Sequence, residues 1–260
     1  MNIVVLVKQV PDSGSERKLD PSDNTVARAS ADNVINEMDE YAIEEALTVK
    51  EASGGEVTVL TMGPEKATET IRKALSMGAD KAVHVSDPAL HGACAVQTAE
   101  TLAAALGTIP HDLVVLGSES TDARLSVMGA MLAEKLGLPQ LSGARKVDVD
   151  GSTVTIERQT ETGFDRVQGS TPAVISVVEK INEPRYPSFK GIMAAKKKPV
   201  ETYGLGDLDV DAGEVGLGGA WSQVSSFESA PPREAGTVVK DEGGDGADKL
   251  LEFLASKKFV

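Results

Sequence analysis

Cysteine is nearly absent from this chain: Cys94 is the only one in 260 residues. A single thiol excludes an intrachain disulfide and suits a reducing compartment. Aromatic residues amount to 3%, too few for base-stacking platforms. Basic residues are the minority. Lys and Arg number 26 against 40 Asp and Glu, a net charge of −14, which speaks against nucleic-acid or anionic-membrane binding. No run approaches the ~18–20 apolar residues of a membrane span. The opening, Met1-Asn2-Ile3-Val4-Val5-Leu6-Val7, has neither a basic leader nor a small-residue cleavage site, so the expected location is cytoplasmic. His84, His91 and His111 lack metal-ligand spacing, and no metal site or hydrolytic constellation is expected. A Walker loop is missing too, as is a Gly-x-Gly-x-x-Gly after the first strand, which disfavours a conventional NAD site.

What the chain does have is alternation. Apolar, β-branched runs at 3–7, 57–60, 81–85 and 113–116 read as buried strands. Helical periods fall between them at 39–52, 64–76 and 94–106, and a fourth is expected at 121–136, directly after the fourth strand. This predicts a doubly wound, mostly parallel α/β sheet. Residues 11–33 are polar and read as a long loop with a short hairpin. At 144–149, 153–159 and 164–167 three strands are separated by Asp150-Gly151 and Thr162-Gly163, turn signals for an antiparallel excursion. The run 173–178 rejoins the sheet. The expected organisation is one α/β domain over 1–200 and an extended C-terminal arm over 201–260. That arm is rich in Gly and acids, carries the only tryptophan, Trp221, and ends in a short amphipathic helix at 249–259. Disorder and packing on a partner both fit it.

Two places attract attention. Gly117-Ser118-Glu119-Ser120-Thr121-Asp122-Ala123-Arg124-Leu125-Ser126-Val127-Met128 links the fourth strand to the expected helix. Ligands of open parallel sheets bind beyond the carboxyl ends of the strands, and helix N-termini attract phosphate. The same Ser120, Thr121 or Asp122 equally suits plain N-capping. The second place is 182–199, Asn-Glu-Pro-Arg-Tyr-Pro-Ser-Phe-Lys-Gly-Ile-Met-Ala-Ala-Lys-Lys-Lys-Pro. Pro184, Pro187 and Gly191 predict an irregular loop. From 183 to 198 it holds five basic residues and one acid, hence +4, leaving −18 for the rest. A cationic loop with an apolar tip reads either as a docking device or as a solvated surface loop. The remaining carboxylate pairs, Asp39-Glu40, Glu44-Glu45 and Asp241-Glu242, read as solvated charge. His84 reads as a packed strand residue; Cys94, near a helix start, reads either as a mildly activated thiol or as an unreactive buried one.

Asn182-Glu183-Pro184-Arg185-Tyr186 with Ile192-Met193 and Lys196-Lys197-Lys198 resembles the signature of the electron transfer flavoprotein β subunit. So do Val7-Lys8-Gln9-Val10, Asn36-Glu37, Ala42-Ile43-Glu44-Glu45-Ala46, Gly63-Pro64, Met77-Gly78-Ala79-Asp80 and Pro231-Pro232-Arg233. The resemblance implies a Rossmann-like domain holding a structural AMP through Gly117 to Met128, with Leu6, Asn36, Glu37, Met38, Asp39 and Met62 as further contacts. Ala123-Arg124 stands where electron-bifurcating relatives continue with Gly-Asp, so AMP rather than a second FAD is implied. The 182–199 loop becomes a recognition loop for acyl-CoA dehydrogenases and similar flavin dehydrogenases. Its contacts are Arg185, Tyr186, Phe189, Ile192, Met193, Lys196, Lys197 and Lys198, and Phe189 takes the anchor position usually held by leucine. FAD is held mainly by the α subunit, the C-terminal arm reaches over that subunit, and electrons pass on to a membrane quinone reductase. Ser13 takes a flavin-proximal position where the family often carries tyrosine. No residue of the chain is expected to be catalytic. The alternatives are a nucleotide-hydrolysing enzyme with Asp122 as its base, and a non-catalytic nucleotide sensor.

Overall fold

Alternate residues of the first strand, β1 (Asn2–Leu6), enter different cores. Ile3 and Val5 join one buried cluster, and Val4 and Leu6 the other. Period-two burial on both sides is what a central parallel strand requires. In the computed structural model, which describes residues 1–15, 17–229, 231, 235–236, 238–241 and 243–260, β1 sits near the middle of a nine-stranded sheet. Its neighbours are β4 (Glu56–Met62) and β6 (Leu113–Gly117), both parallel to it. Pro232, Arg233 and Glu242 lie outside the described residues.

Beyond β4 come β5 (Lys81–Val85) and the edge strand β11 (Val200–Tyr203). Beyond β6 come β10 (Ala173–Val177), β7 (Gln140–Asp150), β8 (Thr153–Gln159) and β9 (Phe164–Ser170). The last three form the expected antiparallel excursion. One face of the sheet is covered by α1 (Glu37–Ser53) and α2 (Thr68–Met77), through Ile43, Leu47, Ile71 and Leu75. The other is covered by α3 (Ala95–Thr108) and α4 (Met128–Leu136), through Leu102, Leu106 and Leu132. Leu106 is fully buried, so truncating it to alanine costs about 2–5 kcal/mol.

The described residues of the 11–33 loop carry the short hairpin expected there. They are framed by β2 (Gln9–Pro11) and β3 (Asn33–Ile35), an antiparallel pair, with a lone bridge between Leu19 and Val26. The 64–76 helix begins as a single 3-10 turn, Glu65–Ala67, before α2. Two segments differ in helical extent from the sequence expectation. The helix expected from 121 starts only at Met128, because Arg124 (φ 51) and Ser126 (φ 55) are left-handed and break a right-handed helix. The segment 182–199 is not wholly irregular, since it contains α5 (Phe189–Ala195). Ser188 Oγ caps that helix, accepting from Gly191 N–H at 3.0 Å.

The chain divides into a unit of Met1–Ser225 and one of Ser226–Val260. The expected boundary at 200 falls inside the first unit, because β11 pairs with β5 and Leu205, Leu208 and Val215 are buried. The short α6 (Gly216–Gly219) also belongs there. The second unit holds α7 (Gly246–Ser256), with Leu250, Leu251 and Phe253 exposed. Among the described residues no helix is long and apolar enough to cross a membrane.

Candidate functional site

Strand order reverses between β1 and β6: β4 and β5 follow β1 to one side, and β6 returns to the other. Ligands of open α/β sheets bind at such a reversal, beyond the strand ends. Leu6 closes β1 there, Gly117 closes β6, and Met62 closes β4. Gly117 is a packing requirement, since a Cβ would stand 2.6 Å from Met38 Cβ and 2.7 Å from Asp39 Oδ1.

The loop after Gly117 is tied to the start of α1. Asn36 Nδ2 donates to Glu119 O and to Asp39 Oδ1, each at 2.9 Å, and its Oδ1 accepts from Thr121 N–H at 3.1 Å. Lys8 N–H donates to Asp39 Oδ2 at 2.8 Å. Asp39 is buried, which pushes its carboxyl up to about 7 against the opposing hydrogen bonds from Asn36, Lys8 and Gly117. Asn36 and Asp39 therefore hold the loop. Met38 is half-buried beside them and Glu37 is exposed.

The loop is gripped from outside by two cations. Lys8 Nζ donates to Asp122 Oδ1 at 2.9 Å and to Ser120 Oγ at 3.3 Å, and the Arg28 guanidinium pairs with Asp122 Oδ2. The Asp122 side chain is 1% exposed. Burial opposes its ionisation, but the charges and hydrogen bonds of Lys8 and Arg28 outweigh that and hold its carboxyl well below the usual carboxylate range. A carboxylate so held is a poor general base near neutral pH. Lys8 and Arg28 were not singled out from the sequence as site residues. Arg28 lies 94 positions from Asp122, and no local pattern joins them.

After Asp122 the loop opens. Ala123, Arg124, Leu125 and Ser126 are exposed, and Ser126 Oγ donates to Glu119 Oε2 at 3.3 Å. Val127 precedes α4 and no side chain caps the helix. N-capping by Ser120, Thr121 or Asp122 does not occur, because α4 begins six residues beyond Asp122. The uncapped turn at Met128 lies by the ends of β6 and β10, where Gly129 approaches Leu116 and Ser176, and its N–H groups suit an anion.

The second place lies along α1 and α2. Arg185 donates to Glu44 Oε2 at 2.7 Å and Oε1 at 2.8 Å, and to Glu51 Oε1 at 2.6 Å. Asn182 Nδ2 donates to Tyr41 O at 3.1 Å and Glu45 Oε2 at 3.2 Å. The pair Glu44-Glu45 is thus buried under this segment rather than solvated, and burial raises the Glu45 carboxyl. Asp39 likewise departs from the solvated expectation. Tyr186 is 93% exposed and Phe189 81%, with Ile192 and Met193 also exposed. Lys196 and Lys197 are exposed, whereas Lys198 Nζ donates to Leu75 O at 2.9 Å and to Ala79 O. The basic run is therefore two outward lysines and one inward.

Ser13 is exposed at the tip of a turn closed by Ser15 N–H on Asp12 O at 3.1 Å. His84 is buried in β5 with Nε2 3.0 Å from Gly63 O. Cys94 is the residue before α3, its N–H donating to Gln97 Oε1 at 3.0 Å. Among the described residues no group of His, Cys, Asp and Glu is placed to hold a metal.

Comparison with known proteins agrees with this architecture. The model of the electron transfer flavoprotein domain matches residues 23–208. The electron transfer flavoprotein subunit beta of Mycobacterium tuberculosis is 52% identical over 265 residues, covering 100% of this chain and 99% of the relative. That of Thermoanaerobacterium thermosaccharolyticum is 37% identical, with 100% of each chain covered. The caffeyl-CoA reductase-Etf complex subunit CarD of Acetobacterium woodii is 34% identical, over 97% of this chain and 98% of the relative.

Proposed function

The chain belongs to the electron transfer flavoprotein family, matching its β subunits end to end, and from that premise we propose how its own residues serve electron transfer. It works as an electron carrier subunit rather than an enzyme, paired with an α subunit. The FAD, held mainly by that α subunit, supplies the electron-carrying chemistry. This chain supplies a platform, a structural nucleotide and a docking helix.

The nucleotide is AMP. The N–H groups around Ser126, Val127 and Met128, where the helix start is uncapped, would hold its phosphate. Leu6 and Met62, at the ends of β1 and β4, would take its adenosine. Asn36 and Asp39 act on the loop that carries these donors. Docking falls to Phe189, Ile192 and Met193, with Tyr186 beside them and Lys196 and Lys197 steering an anionic partner. The partners are acyl-CoA dehydrogenases and similar flavin dehydrogenases, and a membrane quinone reductase receives the electrons. Arg185 fixes the approach of this segment on α1. Ser13 stands on the flavin side, and the arm over Ser226–Val260 packs on the α subunit.

The observation that carries this reading is a largely exposed phenylalanine on a capped helix within a locally cationic stretch of an acidic protein. A hydrolytic role would need a base at the loop, and Asp122 is committed to Lys8 and Arg28. Co-expression with an adjacent α-subunit gene tests the reading: a yellow heterodimer is expected. Colourless protein that turns over added ATP would overturn it.

A further inference from the structure

The docking helix has little apolar attachment. Of its seven residues only Ala195 is buried. A seven-residue helix is marginal by itself, and one alanine contributes too little burial to fix its position. A groove of about 490 Å³, lined by Arg72, Lys73, Ser76, Ile192, Ala195 and Lys196, runs between it and α2. Side-chain interdigitation does not fill that space.

Polar contacts of an unusual symmetry do the holding. The last carbonyls of a helix lack intrahelical donors. Arg72, on α2, donates to Ala195 O at 2.6 Å and Lys198 O at 3.3 Å, at and just past the end of α5. Lys198, just past α5, donates to Leu75 O at 2.9 Å and to Ala79 O, at and just past the end of α2. Each helix end is thus met by a cation carried on, or just past, the other helix. Burial of Lys198 lowers its ammonium from the ordinary value, which fits a lysine withdrawn from solvent. The third contact is steric. A Cβ on Gly191 would stand 2.5 Å from Ser76 O, so α5 lies against the α2 backbone at a distance only glycine permits.

We propose that Arg72, Gly191 and Lys198 are positioning residues for partner docking: together they set the height and angle at which Phe189, Ile192 and Met193 are presented. None of the three needs to touch the partner. The inference rests on the docking role of α5 given above, and its test separates the two. If presentation is what they control, their loss weakens encounter with a large partner and leaves the flavin itself untouched.

The experiment uses the purified heterodimer and an acyl-CoA dehydrogenase with its acyl-CoA as electron donor. Variants are Phe189→Ala, Gly191→Ala, Arg72→Met, Arg72→Lys and Lys198→Met. Reduction by dithionite serves as a reaction that needs no docking. Gly191→Ala is expected to raise KM for the dehydrogenase roughly tenfold, with kcat, flavin content and dithionite reduction unchanged. Arg72→Met and Lys198→Met raise KM in the same way, and Arg72→Lys restores part of the loss. Should Gly191→Ala not yield folded heterodimer, the Arg72 and Lys198 variants decide alone. Wild-type KM in these variants while Phe189→Ala raises it overturns the positioning role and leaves docking standing. Wild-type KM in Phe189→Ala as well removes the docking reading and this inference with it. A loss confined to kcat or to dithionite reduction also overturns the positioning role.

Discussion

Truncating Phe189 to alanine is the sharpest perturbation of the docking surface. The side chain is 81% exposed in this chain, so its removal has little to cost the fold. A phenylalanine buries about 150–250 Å² when fully enclosed. Four-fifths of the lower figure, at ~25 cal/mol per Å², is about 3 kcal/mol if a partner pocket closes over it completely. That lies within the ~2–4 kcal/mol of measured hot spots and amounts to somewhat over a hundredfold in affinity. Incomplete enclosure lowers it to roughly tenfold. The assay is steady-state reduction of the heterodimer by a dehydrogenase, with flavin absorbance and thermal melting run alongside. KM should rise by a factor between those limits, while flavin content and melting temperature stay at wild type. An unchanged KM, or a loss of flavin, would refute the reasoning.

Three further outcomes follow from the geometry. Added salt should raise KM for the dehydrogenase several-fold between low and physiological ionic strength; Lys196→Ala with Lys197→Ala should flatten that response. Lys198→Met should leave its slope alone, because Lys198 faces inward; a change of slope in the last variant would contradict this placement. Asp39 is held near 7 in the fold by burial, so between about pH 4 and pH 7 the folded state binds more protons than the unfolded. Stability from this group therefore falls as pH rises through that window, by up to about 4 kcal/mol. Denaturant melts across pH should show the difference between Asp39→Asn and wild type shifting in favour of the variant as pH rises; a pH-independent difference sinks the claim. Asp122 has the opposite sign: its carboxyl is depressed, so its contribution is intact above about pH 4 and is lost as acid protonates it. Asp122→Asn should cost roughly 1–3 kcal/mol at pH 7, less than a fully buried pair because Lys8 and Arg28 are partly exposed, and should weaken retention of bound AMP; tight AMP retention in a destabilised variant would separate the ion pairs from the nucleotide loop.

The layered fold was legible because its signals are local. Strands β5 and β8 carry the bounds read from the sequence, since apolar runs and Gly turns punctuate them directly. The late start of α4 was not legible. Ordinary residues, Arg124 and Ser126, take left-handed backbone there, in a loop held by the long-range contacts of Lys8, Arg28 and Asn36. Helix α5 was obscured by Gly191, which reads as a breaker and instead lets the helix approach the α2 backbone. Strand β11 is four residues long and pairs at a sheet edge with β5, 118 positions earlier at Val200 and Ala82. At the candidate site the residue types were visible, but their division of labour was not. Asn36, Asp39 and Asp122 face protein partners, and Lys198 is drawn away from its two neighbours.

The central claim is that this chain forms half of a flavin carrier and keeps AMP at the reversal between β1 and β6. Mass spectrometry of the nucleotides released on denaturing the purified heterodimer tests it most directly. AMP and FAD are expected in equal amounts. FAD without AMP, a second FAD in its place, or a chain that never joins a flavin-bearing partner would contradict it.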